Sequence, residues 1–95
     1  MSALHFEWDV RKAGANFKKH GVTFDEAKSV FVDERARLID DPDHSEVEDR
    51  FVILGLSYAL RLLLVCHCYR SGGDVIRIIS ARKATRRESK SYPSR

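Results

Sequence analysis

Leu4, Phe6 and Trp8 alternate with His5 and Glu7 in "LHFEWD", the period-two pattern of a short strand. The period then changes. Asp9 suits an N-cap and Gly21 a helix stop, which predicts a helix through "VRKAGANFKKH" with Val10, Ala13 and Phe17 as its apolar stripe. A second helix follows at once. "TFDE" reads as a capping box, Thr23 accepting from the turn and Glu26 reaching back, ahead of Phe24, Ala27, Val30 and Phe31 at helical spacing. From Asp33 to Glu48 the chain is polar and contains Pro42, with a short strand expected at "ARLID". Further strands come next: "RFVILGLS" and "LRLLLVCHCY", joined by a tight turn near Ser57–Ala59, then "DVIRIISAR" after the "SGG" turn at 71–73. "LRLLLVCHCY" is apolar on both faces, which places it centrally, and the short turns predict an antiparallel meander. Thr85 and Glu88 in "TRRE" form a second capping box and open a last short helix, which Pro93 ends. The class is α+β: N-terminal helices packed on an antiparallel sheet, with a short C-terminal helix.

A chain of 95 residues predicts a single domain, 1–95, with a small core. At 43% hydrophobic and 33% charged it belongs with folded soluble proteins rather than disordered ones. The net charge of +3 is too modest to imply nucleic-acid binding, so its distribution has to carry that argument. That distribution is uneven. "DDPDHSEVED" is almost purely anionic, whereas "RKATRRESKSYPSR" opposes a run of cations with Glu88 alone. The two can serve separate partners or simply neutralise each other. The N-terminus lacks the apolar core of a signal peptide, and "RLLLVCHCY" is far shorter than the roughly 20 residues that span a bilayer. With two cysteines and no export signal, the expected setting is the reducing cytoplasm, away from membranes.

The basic stretch "RIISARKATRRE" begins as a strand and ends as a helix. In a regular strand Arg77, Ile79 and Ala81 share one face while Ile78, Ser80 and Arg82 share the other. Arg77 and Arg82 can therefore serve one cleft only if a bulge or the strand's end near Ser80 intervenes. Arg82, Lys83, Arg86 and Arg87 surround a helix start, where cations oppose the helix dipole and an anion such as phosphate relieves the conflict. The bland alternative is a solvated charged helix. His20 either complements a helix C-terminus or does acid–base work. Glu48 and Arg50 are either an ion pair at the sheet edge or a carboxylate base with a phosphate-binding arginine. Cys66 and Cys68 of "CHC" face the same way but lack the other ligands of a tetrahedral site, so they read as core thiols. No metal and no cofactor are expected.

"FEWDVRKAGANFKKHGVTFDEAKSVF", "DRFVILGLS" and "IRIISARKATRRE" followed by Tyr92 resemble the BrnT family, the toxin half of a bacterial type II toxin–antitoxin system. The resemblance runs from about Phe6 to Tyr92, and the blocks "W-D-x-x-K-x-x-x-N-x-x-K-H-G-V-x-F" and "R-I-I-S-A-R" carry it. It implies a compact fold similar to RelE-type ribonuclease toxins and an RNA-cleaving activity that stalls translation. It also implies neutralisation by a cognate BrnA-like antitoxin, through which alone operon DNA is engaged. Its motif positions here are Trp8, Asp9, Lys12, Asn16, Lys19, His20, Gly21, Glu48, Arg50, Gly55, Arg77, Ser80, Arg82, Glu88 and Tyr92. "SYALR" departs from it by lacking a glycine at the turn, which implies a longer or differently bent hairpin. The stop after "SYPSR" leaves a last helix too short for a large antitoxin-docking element.

The mechanism expected on this footing is metal-free cleavage of single-stranded RNA by the 2′-hydroxyl on its own adjacent phosphate. Arg77 and Arg82 stabilise the phosphorane, Arg50 holds the backbone, and His20 or Glu48 is the base. Glu88 or Tyr92 orients the helix end or donates a proton. Lys19, Ser80, Lys83, Arg86, Arg87 and Tyr92 complete the RNA-binding surface, where Tyr92 is the only expected ring near the cations. The rivals are a non-catalytic module that grips nucleic acid through phosphates, and a protein whose sole role is to bind its antitoxin.

Overall fold

The alternating N-terminal stretch forms strand β1 (His5–Glu7), and Asp9 converts it into helix α1 (Val10–His20). The computed structural model describes residues 4–40 and 49–93. The Asp9 carboxylate accepts from the Arg11 and Lys12 N–H groups at 2.8 and 3.2 Å, satisfying donors that a helix start leaves open. Gly21 ends the helix at φ 70°, where only glycine sits without strain. Thr23 then caps α2 (Phe24–Ser29), and the turn Val30–Val32 extends it as a 3-10 helix. Phe24, Ala27 and Val30 are buried at the expected helical spacing, with Phe31 packed beside them.

Four further strands follow: β2 (Arg37–Ile39), β3 (Phe51–Leu56), β4 (Leu62–Arg70) and β5 (Val75–Lys83), and helix α3 (Arg86–Ser89) closes the chain. The sheet order is β1-β5-β4-β3-β2. β2 to β5 pair antiparallel, as the short turns between β3, β4 and β5 dictate for those three, and β4 lies at the centre. The expected antiparallel sheet needs one correction, because β1 joins β5 in parallel, with Phe6 opposite Ile76 and Glu7 opposite Arg77. Hairpin turns set the direction of sequence neighbours only, and β1 lies some 70 residues from its partner. The β3–β4 turn closes through Ser57 N–H to Arg61 O and Leu60 N–H to Ser57 O, both 2.9 Å. Leu60, at φ 59°, occupies the left-handed conformation that the missing glycine would take without strain.

The helices α1 and α2 cover one face of the sheet. There Val22, Phe24, Ala27 and Val30 pack on Leu63, Val65, Ile78 and Ala81, with Phe6, Trp8 and Ile53 around them. On the other face Val52, Leu54, Leu64 and Cys66 pack with Ile39, Leu62, Ile79, Ala84 and Tyr92, so the C-terminal segment covers only part of it.

The apolar stripe expected of α1 is a second correction. Ala13 packs against the core as expected, but Val10 and Phe17 are 80% and 53% exposed, and the fully buried residue of the helix is Asn16. Asn16 donates to Ala81 O at 2.8 Å and Val22 O at 3.0 Å, and accepts from Ala81 N–H at 3.0 Å. β1 accompanies β5 only as far as Arg77, so at Ala81 the amide side chain stands where a neighbouring strand would. Asn16→Ala strips three buried backbone groups of their partner and is expected to cost about 2–4 kcal/mol in denaturant unfolding. A loss below about 1 kcal/mol would show that Asn16 is not what holds α1 to the sheet.

The turn between β3 and β4 is tied to the α1–α2 junction by a buried ion pair. Glu26 does not reach back to complete the expected capping box. Instead its Oε2 accepts from Arg61 Nε at 2.9 Å and Ser57 Oγ at 2.7 Å, while Arg61 Nη2 binds Oε1 and donates to Gly21 O at 3.1 Å. The Arg61 guanidinium holds the Glu26 carboxyl below its ordinary value of 4.5, against the opposing effect of burial. Three separate segments meet at this one carboxylate.

Candidate functional site

β5 is irregular where the chemistry would need it. Ala81 faces Val65 and Ser80 faces Cys66, but the next pair is Ile78 with His67, so Ile79 has no partner on β4. One inserted residue reverses the alternation beyond it. Arg77, Ser80 and Arg82 therefore all point to the face away from α1 and α2, opposite Cys68, Cys66 and Leu64. The bulge that the sequence could only name as a condition is present. Arg77 and Arg82 stand roughly 15 Å apart at the rise of an extended strand, close enough for two long side chains to approach one anion above Ser80.

Each arginine is oriented by a carboxylate. Arg82 Nη1 and Nη2 meet Glu88 Oε1 and Oε2 at 2.8 Å each, a bidentate pair, and Nη1 also donates to Lys83 O at 3.3 Å. Glu88 is itself fixed by the complete capping box with Thr85, whose N–H donates to Oε1 at 2.8 Å. The hydrogen bonds from Arg82 bring the Glu88 carboxyl from 4.5 to about 2. Glu88 is thus charged at neutral pH, a holder of Arg82 and no proton donor. At the other end Arg77 Nη1 donates to Glu7 Oε2 at 2.8 Å, and Arg70 Nε lies 3.4 Å from the same oxygen.

The remaining candidates are dispersed. His20, half-buried, ends α1 one turn beyond Asn16 and so shares the helix face that meets β5. Arg61, bonded to Gly21 O, and the Ala84 N–H bond to Leu62 O place that helix end where β4 begins and β5 finishes. His20 is thus at the Arg82 end of the sheet but on the helix-covered face, across the sheet from the Arg82 side chain, so the structure does not bring the two together. Lys19 is exposed beside it. Arg50 immediately precedes β3, two residues before the inward-packed Val52. Lys83 pairs with Leu63, on the helix-covered side and away from Arg82. Arg86 and Arg87 are exposed on α3. Glu48 lies outside the described residues.

Tyr92 packs on the cluster of Val52, Leu54, Leu64 and Cys66, and its hydroxyl donates to Asp33 Oδ2 at 2.8 Å. Burial and that carboxylate both push its phenol up. Burial works against the charge of Asp33, but the Leu56 and Arg35 N–H groups and Tyr92 outweigh it and hold the carboxyl low. Tyr92 therefore latches the C-terminal segment to the turn ahead of β2. His67 is wholly buried, with Nδ1 3.1 Å from Val65 O, Nε2 3.3 Å from Tyr69 Oη and the Phe31 ring edge-on at 4.8 Å. Burial lowers its pKa and keeps the imidazole neutral. Cys66 and Cys68 form no disulfide, and among the described residues no three His, Cys, Asp or Glu side chains gather as a metal site requires.

Sequence reasoning missed Glu7 and Arg70. Both are polar residues at strand ends, and only the pairing of β1 with β5 and of β4 with β5 brings them to Arg77.

The family model described as the ribonuclease toxin BrnT of type II toxin–antitoxin systems matches residues 8–88. The chain belongs to the BrnT family. Among solved structures, the 1.1 Å crystal structure of the Brucella abortus ribonuclease toxin BrnT has the same fold. The TM-score is 0.67 over 88% of this chain and 100% of that one, at 22% identity. Among curated protein sequences nothing matches. The BrnT match spans α1, α2, strands β2 to β5 and Glu88, and so includes the bulge, Arg77 and Arg82, whereas β1 with Glu7 lies just outside it. Within this BrnT-family fold, no described helix is long and apolar enough to cross a membrane.

Proposed function

We propose that this BrnT-family chain is a RelE-like, cytoplasmic endoribonuclease toxin that cleaves single-stranded RNA without a metal ion and so inhibits translation. A cognate BrnA-like antitoxin neutralises it and supplies the DNA-binding part that acts on their operon. The observation that carries the reading is the bulge at Ile79, which aligns Arg77, Ser80 and Arg82 on one partly open face. Two guanidinium groups there suit the extra negative charge of a pentacoordinate phosphorane, because a planar fork meets two oxygens at once.

In the proposed reaction the ribose 2′-oxygen forms a bond to the adjacent phosphorus and the bond to the departing 5′-oxygen breaks. The 5′-oxygen takes its proton from solvent water, and the products are a 2′,3′-cyclic phosphate and a 5′-hydroxyl. Glu48 is the candidate base for the 2′-hydroxyl proton, since His20 ends α1 on the opposite side of the sheet from Arg77, Ser80 and Arg82. Arg50 steadies the backbone. Glu88 keeps Arg82 in place, so its guanidinium needs no reorganisation as charge develops. The test is cleavage of a single-stranded RNA by purified protein in excess EDTA. Cyclic phosphate ends are expected. Activity abolished by chelator and restored by Mg²⁺ would overturn the metal-free mechanism, and RNA left whole under both conditions would overturn the enzyme.

A further inference from the structure

We propose that Arg70, with the Nη1 edge of Arg77, forms a second phosphate subsite that grips the RNA backbone beside the scissile phosphate, so that Arg77 bridges the two, and that Glu7 occupies this subsite until RNA arrives. This rests on the nuclease reading given above. Three neighbouring strands build the feature: Arg70 on β4, Arg77 on β5 and Glu7 on β1, with Glu7 opposite Arg77 in the parallel pair. Both guanidinium groups converge on Glu7 Oε2, at 3.4 and 2.8 Å. An oxygen so placed marks where a phosphate oxygen would be held.

The carboxylate is a weak occupant. Glu7 is 41% exposed and Arg70 57% exposed, and pairs of such exposure are screened and hold little net energy. A phosphodiester can offer two oxygens to forks that Glu7 engages through one. The subsite continues the row of cations along the same face, from Arg82 through Arg77 to Arg70, an arrangement that follows a strand backbone rather than a single anion. Beside Arg70 the end of the sheet opens into a hollow lined by Asp49, Phe51, Cys68, Tyr69 and Ser71. Phe51 and Tyr69 turn their rings towards His67 on the helix-covered face, so the subsite is built to take the phosphate and not its base.

The test separates binding from turnover. Affinity is read with a single-stranded oligonucleotide carrying 2′-O-methyl groups, which lacks the attacking hydroxyl, and cleavage with the unmodified strand. Arg70→Ala is expected to weaken binding about tenfold and raise KM with little change in kcat. It should also flatten the slope of log affinity against log salt by about one contact. Glu7→Gln is expected to tighten binding, because it removes the competing charge. A purely structural ion pair predicts the opposite sign. The proposal is overturned if Glu7→Gln weakens binding in a protein that unfolds like wild type, or if Arg70→Ala leaves affinity and salt slope unchanged. Wild type that binds the modified strand but cuts no RNA sinks the nuclease reading and leaves the subsite standing. Arg70→Ala that impairs only antitoxin binding assigns the pair to that protein and overturns the RNA subsite.

Discussion

Arg82→Ala is expected to slow RNA cleavage about 10²–10³-fold, the usual cost of deleting one preorganised charge-stabilising group. The expectation comes from how Arg82 is held. A free arginine on a surface spreads over many rotamers, whereas here Glu88 engages both terminal nitrogens and is locked in turn by the Thr85 cap. Such a guanidinium can meet a phosphorane without first being ordered. Arg82→Lys keeps the charge and loses the fork, so it should recover only part of the rate. The comparison uses initial rates on one RNA alongside unfolding midpoints, because losing Arg82 also removes a tie to α3. A folded Arg82→Ala protein with wild-type turnover would remove Arg82 from the mechanism and leave Arg77 to carry it.

Glu26→Ala is expected to destabilise the fold by about 3–5 kcal/mol, nearer the lower figure because the Arg61 side chain remains one-third exposed. Small domains are stable by only about 5–15 kcal/mol, so the variant should lie close to unfolding at growth temperature. The mechanism is loss of a shared anchor: Arg61, Ser57 and, through Arg61, Gly21 all depend on one carboxylate. The pair also sets a pH dependence. Glu26 is held below 4.5 in the folded chain, so the unfolded chain takes up a proton first as the medium is acidified. Its stabilisation is complete above about pH 4.5 and is lost as pH falls through the folded value. Glu88 adds a further loss between 4.5 and about 2. The denaturant midpoint should fall steeply over this range in wild type and less steeply in Glu26→Ala. Equal slopes in both proteins would show that Glu26 is not an acid-labile anchor.

What could be read from residue order was whatever depends on near neighbours. Asp9, Gly21, Thr23 and the Thr85–Glu88 box mark helix ends because caps act over three or four residues. β4 announced its central place through apolar residues on both faces. The same local view misjudged α1. It chose the stripe Val10, Ala13 and Phe17 by hydrophobicity, of which only Ala13 packs on the core, while the helix is anchored by the amide of Asn16.

The candidate site shows the same division. Arg77 and Arg82 were visible as charges, and the need for a bulge between them followed from strand geometry alone. Whether Ile79 bulges is settled by register against β4, a matter of packing on both sheet faces. Glu7 and Arg70 left no local trace of their link to Arg77, since parallel pairing between the first and last strands is a long-range event. Tyr92, promising as a ring beside cations, is claimed by Asp33 across the fold. The sequence by itself determined the elements, their caps and the family. Only the folded chain decided which charges face one another, because contact between distant residues depends on how strands are ordered and not on how residues are spaced.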